Sequence, residues 1–163
     1  ETFIDADGNE QTWTHQSDRL IPKSDVELMQ KLADKSRVDE KAMIAMRNKL
    51  NQEQGLEGTE DHPLTERERE VLEFNQYIAE PTETRARLNS GRQSMRELGI
   101  DVYNKDVTEV DVKKWIDSGD FEARQLFRIY GRDGMVKLFN TVSANTDLNF
   151  NMEQATNKNI NYS

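Results

Sequence analysis

The sequence predicts a mainly α protein: several short helices, a small N-terminal β-hairpin and an extended C-terminal arm. Three observations predict it. Apolar residues recur at three- and four-residue spacing between recognisable helix caps. Near the start, two runs rich in threonine and aromatics flank an Asp-Gly-Asn turn. At the end, apolar residues alternate with asparagines at a period of two, as strand residues do.

The first element lies in "TFIDADGNEQTWT". Asp5, Asp7 and Asn9 alternate like the first ligands of a calcium loop, but such a loop needs glycine sixth and glutamate twelfth. Those positions hold Glu10 and Gln16. A hairpin fits better, with Gly8 free to take positive φ and Asp7 and Asn9 bonding to the turn backbone. Calorimetric titration is accordingly expected to show no calcium binding tighter than about millimolar.

Helix signals follow. Ser24 with Glu27 reads as a capping box opening a helix that carries Leu28, Met29, Leu32 and Ala33. A second helix reads from about Asp39, with Ala42, Met43, Met46 and Leu50 facing inward and Gly55 beyond its end. "GLEGTEDHP" is a polar linker. Thr65 and Glu68 form another capping box. Pro81 stops that helix and starts the next, which carries Ala86, Leu88, Met95 and Leu98 and closes at Gly99–Ile100. The division expected is a hairpin and linker over 1–23, a helical pair over 24–55, a linker over 56–63, a helical core over 64–143 and an arm over 144–163.

Residues 107–143 are the densest apolar stretch. Helices capped by Thr108, Asp120 and a residue near Asp133, and closed by Gly119 and Gly131, place the core there. Trp115, Phe127 and Phe139 are expected to meet in one cluster, so truncating Phe127 would cost about 3–5 kcal/mol.

Composition narrows the function. Charged residues make up 33% and apolar residues 34% of the chain, which implies a modest core. The net charge is −9, and residues 1–63 carry 14 acidic against 8 basic residues. No basic stripe marks a nucleic-acid partner. Absence of cysteine excludes disulfides and thiol chemistry. No apolar run reaches membrane-spanning length, and no signal peptide is visible. The chain begins at Glu1 without an initiator methionine, so it is expected to be a processed or partial product. His15 and His62 sit in a hairpin strand and a linker, outside any helical HxxxH pattern. The serines lack a G-x-S-x-G setting, and "YGRDG" lacks the lysine of a phosphate loop. The reading is a chain with no catalytic residues, no cofactor and no metal site.

"LTEREREVL", residues 64–72, resembles the opening of the DNA-binding domain of LuxR-type regulators, and "RQSMRELGI", residues 92–100, resembles its end. The resemblance implies a four-helix module with a central recognition helix. Between the two stretches this chain has "EFNQYIAEPTETRARLNSG", which is short for that module and has Pro81 at its centre. Residues 64–106 also carry 9 acidic against 7 basic residues. A small helical DNA-binding or regulatory adaptor is therefore the alternative reading, recognisable if Arg85, Arg87, Arg92 and Arg96 line one exposed face.

The C-terminal segment points elsewhere. Six of the nineteen residues in "NTDLNFNMEQATNKNINYS" are asparagine, a poor helix former. Leu148, Phe150 and Met152 alternate with Asn149 and Asn151, and Ile160 and Tyr162 flank Asn161. A polar arm with one apolar face suits strand addition to another chain. The expected function is a non-enzymatic assembly component, such as a structural subunit of a phage particle. Its partners are other protein chains, bound through Leu148, Phe150, Met152, Ile160 and Tyr162.

Overall fold

The computed structural model describes residues 2–4, 8–12, 21–56 and 62–143. It is mainly α, with short strands at the N-terminus. The strands are β1 (Thr2–Ile4), β2 (Glu10–Thr12) and β3 (Ile21–Pro22). The helices are α1 (Lys23–Leu32), α2 (Lys35–Val38), α3 (Glu40–Glu53), α4 (Glu66–Ala79), α5 (Pro81–Glu97), α6 (Glu109–Asp117) and α7 (Phe121–Thr141). The expected arm, residues 144–163, lies outside the described residues.

The hairpin is present: β1 and β2 pair antiparallel with Thr2 opposite Thr12 and Ile4 opposite Glu10. β3, unforeseen in the sequence, joins the other edge of β1 with Ile4 opposite Ile21. The chain leaves β3 directly into α1, so Pro22 holds the N-cap position and no side chain caps that helix. The Ser24 capping box expected there does not form, because β3 holds the chain extended to Pro22 and the helix starts at Lys23.

Other caps form where the sequence placed them. Asp39 accepts from the Ala42 backbone N–H, and Thr65–Glu68 and Thr108–Asp111 are complete capping boxes. Pro81 is the first residue of α5, whose fixed φ suits that position. At the other end of α5, the Ile100 N–H bonds to the Met95 carbonyl and that of Gly99 to Arg96. This is the glycine C-cap in which the trailing residue folds back onto the last turn. Within α7 the backbone leaves helical geometry at Gly131, with φ 69° and ψ 172°. The expected stop at Gly131 is thus a kink joining two helical halves.

The core is wider than residues 107–143. Met29 of α1, Ile78 of α4, and Leu88 and Met95 of α5 are buried in one cluster with Trp115, Leu126, Ile129 and Leu138. Trp115 and Phe139 meet edge to face with ring centroids 5.7 Å apart. Phe127 does not join them: it is 44% exposed. Its neighbours explain why. Ala123, Leu126, Ile129 and Tyr130 share the buried stripe of α7, and Phe127 falls on the flank of that stripe at 100° per residue. The cost of Phe127→Ala, measured by urea unfolding, is now expected to be about 1 kcal/mol or less.

Two polar contacts lock the C-terminal half of α7. Arg92, only 4% exposed, donates from Nη2 to the carbonyls of Phe139 and Val142 and stacks over the Phe139 ring. Asn140 bridges to Val107, accepting from its N–H at 2.7 Å and donating to its carbonyl at 2.9 Å. In the interior, Thr84 donates to the Ile78 carbonyl at 2.9 Å. The Tyr130 hydroxyl, 2.6 Å from Thr84 Oγ1, must then be the donor of that pair. Burial pushes the Tyr130 hydroxyl up to about 12.

Candidate functional site

The residues expected to bind partners, Leu148, Phe150, Met152, Ile160 and Tyr162, lie outside the described residues, as do Asp5, Asp7 and His15. Among the described residues, a cleft of about 590 Å³ lies between α2, α3 and the start of α4. Its floor is α3.

That helix has no fully buried residue. Met43 is half-buried, while Met46 and Leu50, expected to face inward, are 40% and 48% exposed. The sequence stripe is real, but the two-turn gap it should fill is closed by α2 on one side only. α2 is short: Asp34 caps it by accepting from Ser36, and it ends at Val38. Four residues cannot cover fourteen, so one flank of α3 stays open.

Arg47 holds the cleft together. Its guanidinium pairs with Glu68 at 2.9 Å and donates to the backbone carbonyls of His62 and Pro63. A second strut, Arg69 to Glu40 at 2.6 Å, joins the same two helices nearer the start of α3. Glu68 also accepts from the Thr65 backbone N–H, and this bond foremost, with Arg47 adding to it, holds its carboxyl below the usual carboxylate range. The sign of the consequence is fixed. A depressed folded pKa contributes stability that is present above the unfolded value near 4.3 and is lost as pH falls through the folded value. The stability difference between wild type and Glu68→Gln is therefore expected to be full near pH 6 and to shrink below about pH 4, read by thermal denaturation. Thr65→Ala should cost about 1 kcal/mol by the same method.

The four arginines at issue for nucleic-acid binding do not line one exposed face. Arg85 and Arg92 are 8% and 4% exposed. Arg87 is held by Glu83 at 2.7 Å and by the buried Gln125, and Arg96 lies over Tyr103. α4 passes into α5 through Glu80 alone, with Pro81 already helical, so this stretch contains no separate turn and recognition helix of the kind the resemblance implied. His62 is exposed, and its contribution to the cleft is a backbone carbonyl.

Sequence reading missed Arg37, Arg47 and the open flank of α3. A signal was there: Arg47 interrupts the Met43–Leu50 stripe, which a fully buried helix face seldom tolerates without a partner acid. No helix of the described residues is long and apolar enough to cross a membrane, and none of their His, Asp and Glu side chains gather in threes to hold a metal. Comparison with protein-family models, with curated proteins and with solved structures finds no match to this chain.

Proposed function

We propose that this chain is a non-enzymatic assembly component, a helical body that joins other protein chains through its C-terminal arm. The setting that suits it is a large structural complex of the phage-particle kind. One observation carries the reading. The body spends its polar groups on caps and struts while leaving large apolar side chains in the open: Val110 is 75% exposed, Phe121 68%, and the α3 flank lies bare beside its cleft. The α3 flank, where Met43, Met46 and Leu50 line one cleft beside Arg37 and the Arg47–Glu68 pair, suits protein contact. The arm would supply the complementary half: in sequence, Leu148, Phe150 and Met152 alternate with asparagines, the pattern that suits strand addition to another chain.

The test is deletion of residues 144–163. The helical circular dichroism of the body is expected to remain near that of the full chain, because the core cluster closes by Val142. Self-association or partner binding should fall sharply. A truncated chain that unfolds, or one that assembles as the intact chain does, would refute the reading.

A further inference from the structure

We propose that copies of this chain also join body to body, the outward face of α4 on one copy meeting the outward face of the first half of α7 on another. This contact goes beyond the arm and does not depend on it. The two faces carry opposite charge. On α4, Glu66, Glu70 and Glu73 are exposed, and at 100° per residue they fall within about 60° of one another. The buried stripe of that helix, Leu72, Asn75 and Ile78, lies on the opposite side. Of the two bases bordering the acidic face, Arg69 is paired with Glu40, which leaves Arg67 against three acids. On α7, Arg124 and Arg128 are exposed, about 40° apart and opposite the buried Leu126. Neither arginine holds an ion pair among the described residues. Like charges four apart on a helix repel, so setting the acids against the arginines relieves both helices at once.

The spacing agrees. In an antiparallel pairing with Phe121 set on Tyr77, Arg128 lies seven residues along α7 and Glu70 seven residues back along α4. Both are then about 10 Å from the aromatic pair. Arg124 and Glu73 stand three and four residues from it, a mismatch of only about 1.5 Å. The sides agree as well, with Glu70 and Arg128 on one flank of the seam and Glu73 and Arg124 on the other. Exposed aromatics supply the apolar part: Phe121 is 68% exposed, Tyr77 45% and Phe74 41%. Every α7 residue used precedes Gly131, where that helix breaks.

Two features select a second copy as the occupant. Each face points away from the core of its own chain, so one folded body cannot bring the two together. Both halves of the contact are nevertheless present in a single sequence. A nucleic acid suits the α7 face less well, because the whole chain carries a net charge of −9. Because the two faces differ, the contact is heterologous and propagates from copy to copy as a ring or a filament. One helix face per copy is a small area, so each contact is weak and salt-sensitive. The arm adds a second contact, and loss of either one lowers assembly sharply.

Charge reversal in the full-length chain tests the contact, with helical circular dichroism checking that each variant stays folded. Sedimentation of the wild-type chain is expected to show concentration-dependent oligomers that dissociate as ionic strength rises from about 0.01 to 1 M. Glu70→Lys/Glu73→Lys and Arg124→Glu/Arg128→Glu should each weaken association at least about tenfold, while the exposed control Lys137→Glu leaves it unchanged. Mixing the two double variants should restore association, because the basic α4 of one then meets the acidic α7 of the other. A merely structural effect of the substitutions would not be rescued in this way. A wild-type chain that stays monomeric up to about millimolar concentration overturns the proposal. So does association that neither reversal changes, which would leave the assembly reading standing and move the contact elsewhere. Binding of a fluorescent single-stranded oligonucleotide, lost in Arg124→Glu/Arg128→Glu and without self-association, would give the α7 face to nucleic acid and overturn it too.

Discussion

Trp115→Ala is expected to lower stability by about 3–5 kcal/mol, the range for deleting a large buried aromatic. Trp115 is fully buried and packs edge to face on Phe139. It joins α6 to α5 and α7, so the cavity left behind opens between three helices that cannot all collapse into it. The indole N–H has no hydrogen-bond partner among the described residues. Trp115→Phe therefore loses ring volume without losing a hydrogen bond, and should cost about half as much or less. Urea unfolding of the two variants distinguishes the contributions. Equal losses would show that a bond to the indole nitrogen, and not packing, holds this position.

The parts of the fold that could be read from sequence are those decided within four residues. Asp39, Thr65, Thr108 and Asp120 each accept from an N–H two or three positions on, so the cap and the residue it serves sit in the same short window. The same holds for the hairpin around Gly8 and the C-cap at Gly99. Long-range contacts overrode local signals elsewhere. Ser24 has every feature of a cap, yet β3 pairs with β1 and sets the helix start ahead of it. Phe127 has the size of a core residue, but the stripe of α7 passes beside it. Arg92 gives no hint in sequence that it will serve a carbonyl 50 positions away.

The candidate site was legible in part for the same reason. A stripe at Met43, Met46 and Leu50 establishes an amphipathic helix, but periodicity says nothing of what covers it. Coverage depends on α2, a four-residue helix set by Asp34 that hydrophobic pattern alone cannot reveal. The ion pair that shapes the cleft, Arg47 to Glu68, joins residues 21 positions apart. In sequence both look like ordinary charges on solvated helix faces, and only the fold, which brings Arg47 of α3 to 2.9 Å from Glu68 of α4, turns them into a strut.

Gly91→Ala is expected to destabilise the protein by about 1–2 kcal/mol, against the usual preference of helices for alanine. Gly91 lies within α5, where alanine would gain about 1 kcal/mol over glycine. Space opposes it. A Cβ at position 91 would stand 2.6 Å from Trp115 Cη2, 2.9 Å from Cζ2 and 3.1 Å from Phe139 Cζ. The first two belong to a rigid ring, fully buried and wedged against Phe139, which cannot swing aside as the tip of a flexible side chain would. Overpacking of this kind costs about 1–3 kcal/mol, enough to outweigh the propensity gain. A double-mutant cycle separates the terms. In a Trp115→Leu background the two indole contacts vanish, and only the milder approach to Phe139 remains. There Gly91→Ala should fall within about 0.5 kcal/mol of neutral or become stabilising, giving a coupling of at least about 1 kcal/mol between the positions. Gly91→Ala that stabilises the wild-type protein, with no coupling to position 115, would mean that α5 and α6 do not approach this closely. The glycine would then be an accident of sequence, and not the contact that lets Trp115 reach the centre of the fold.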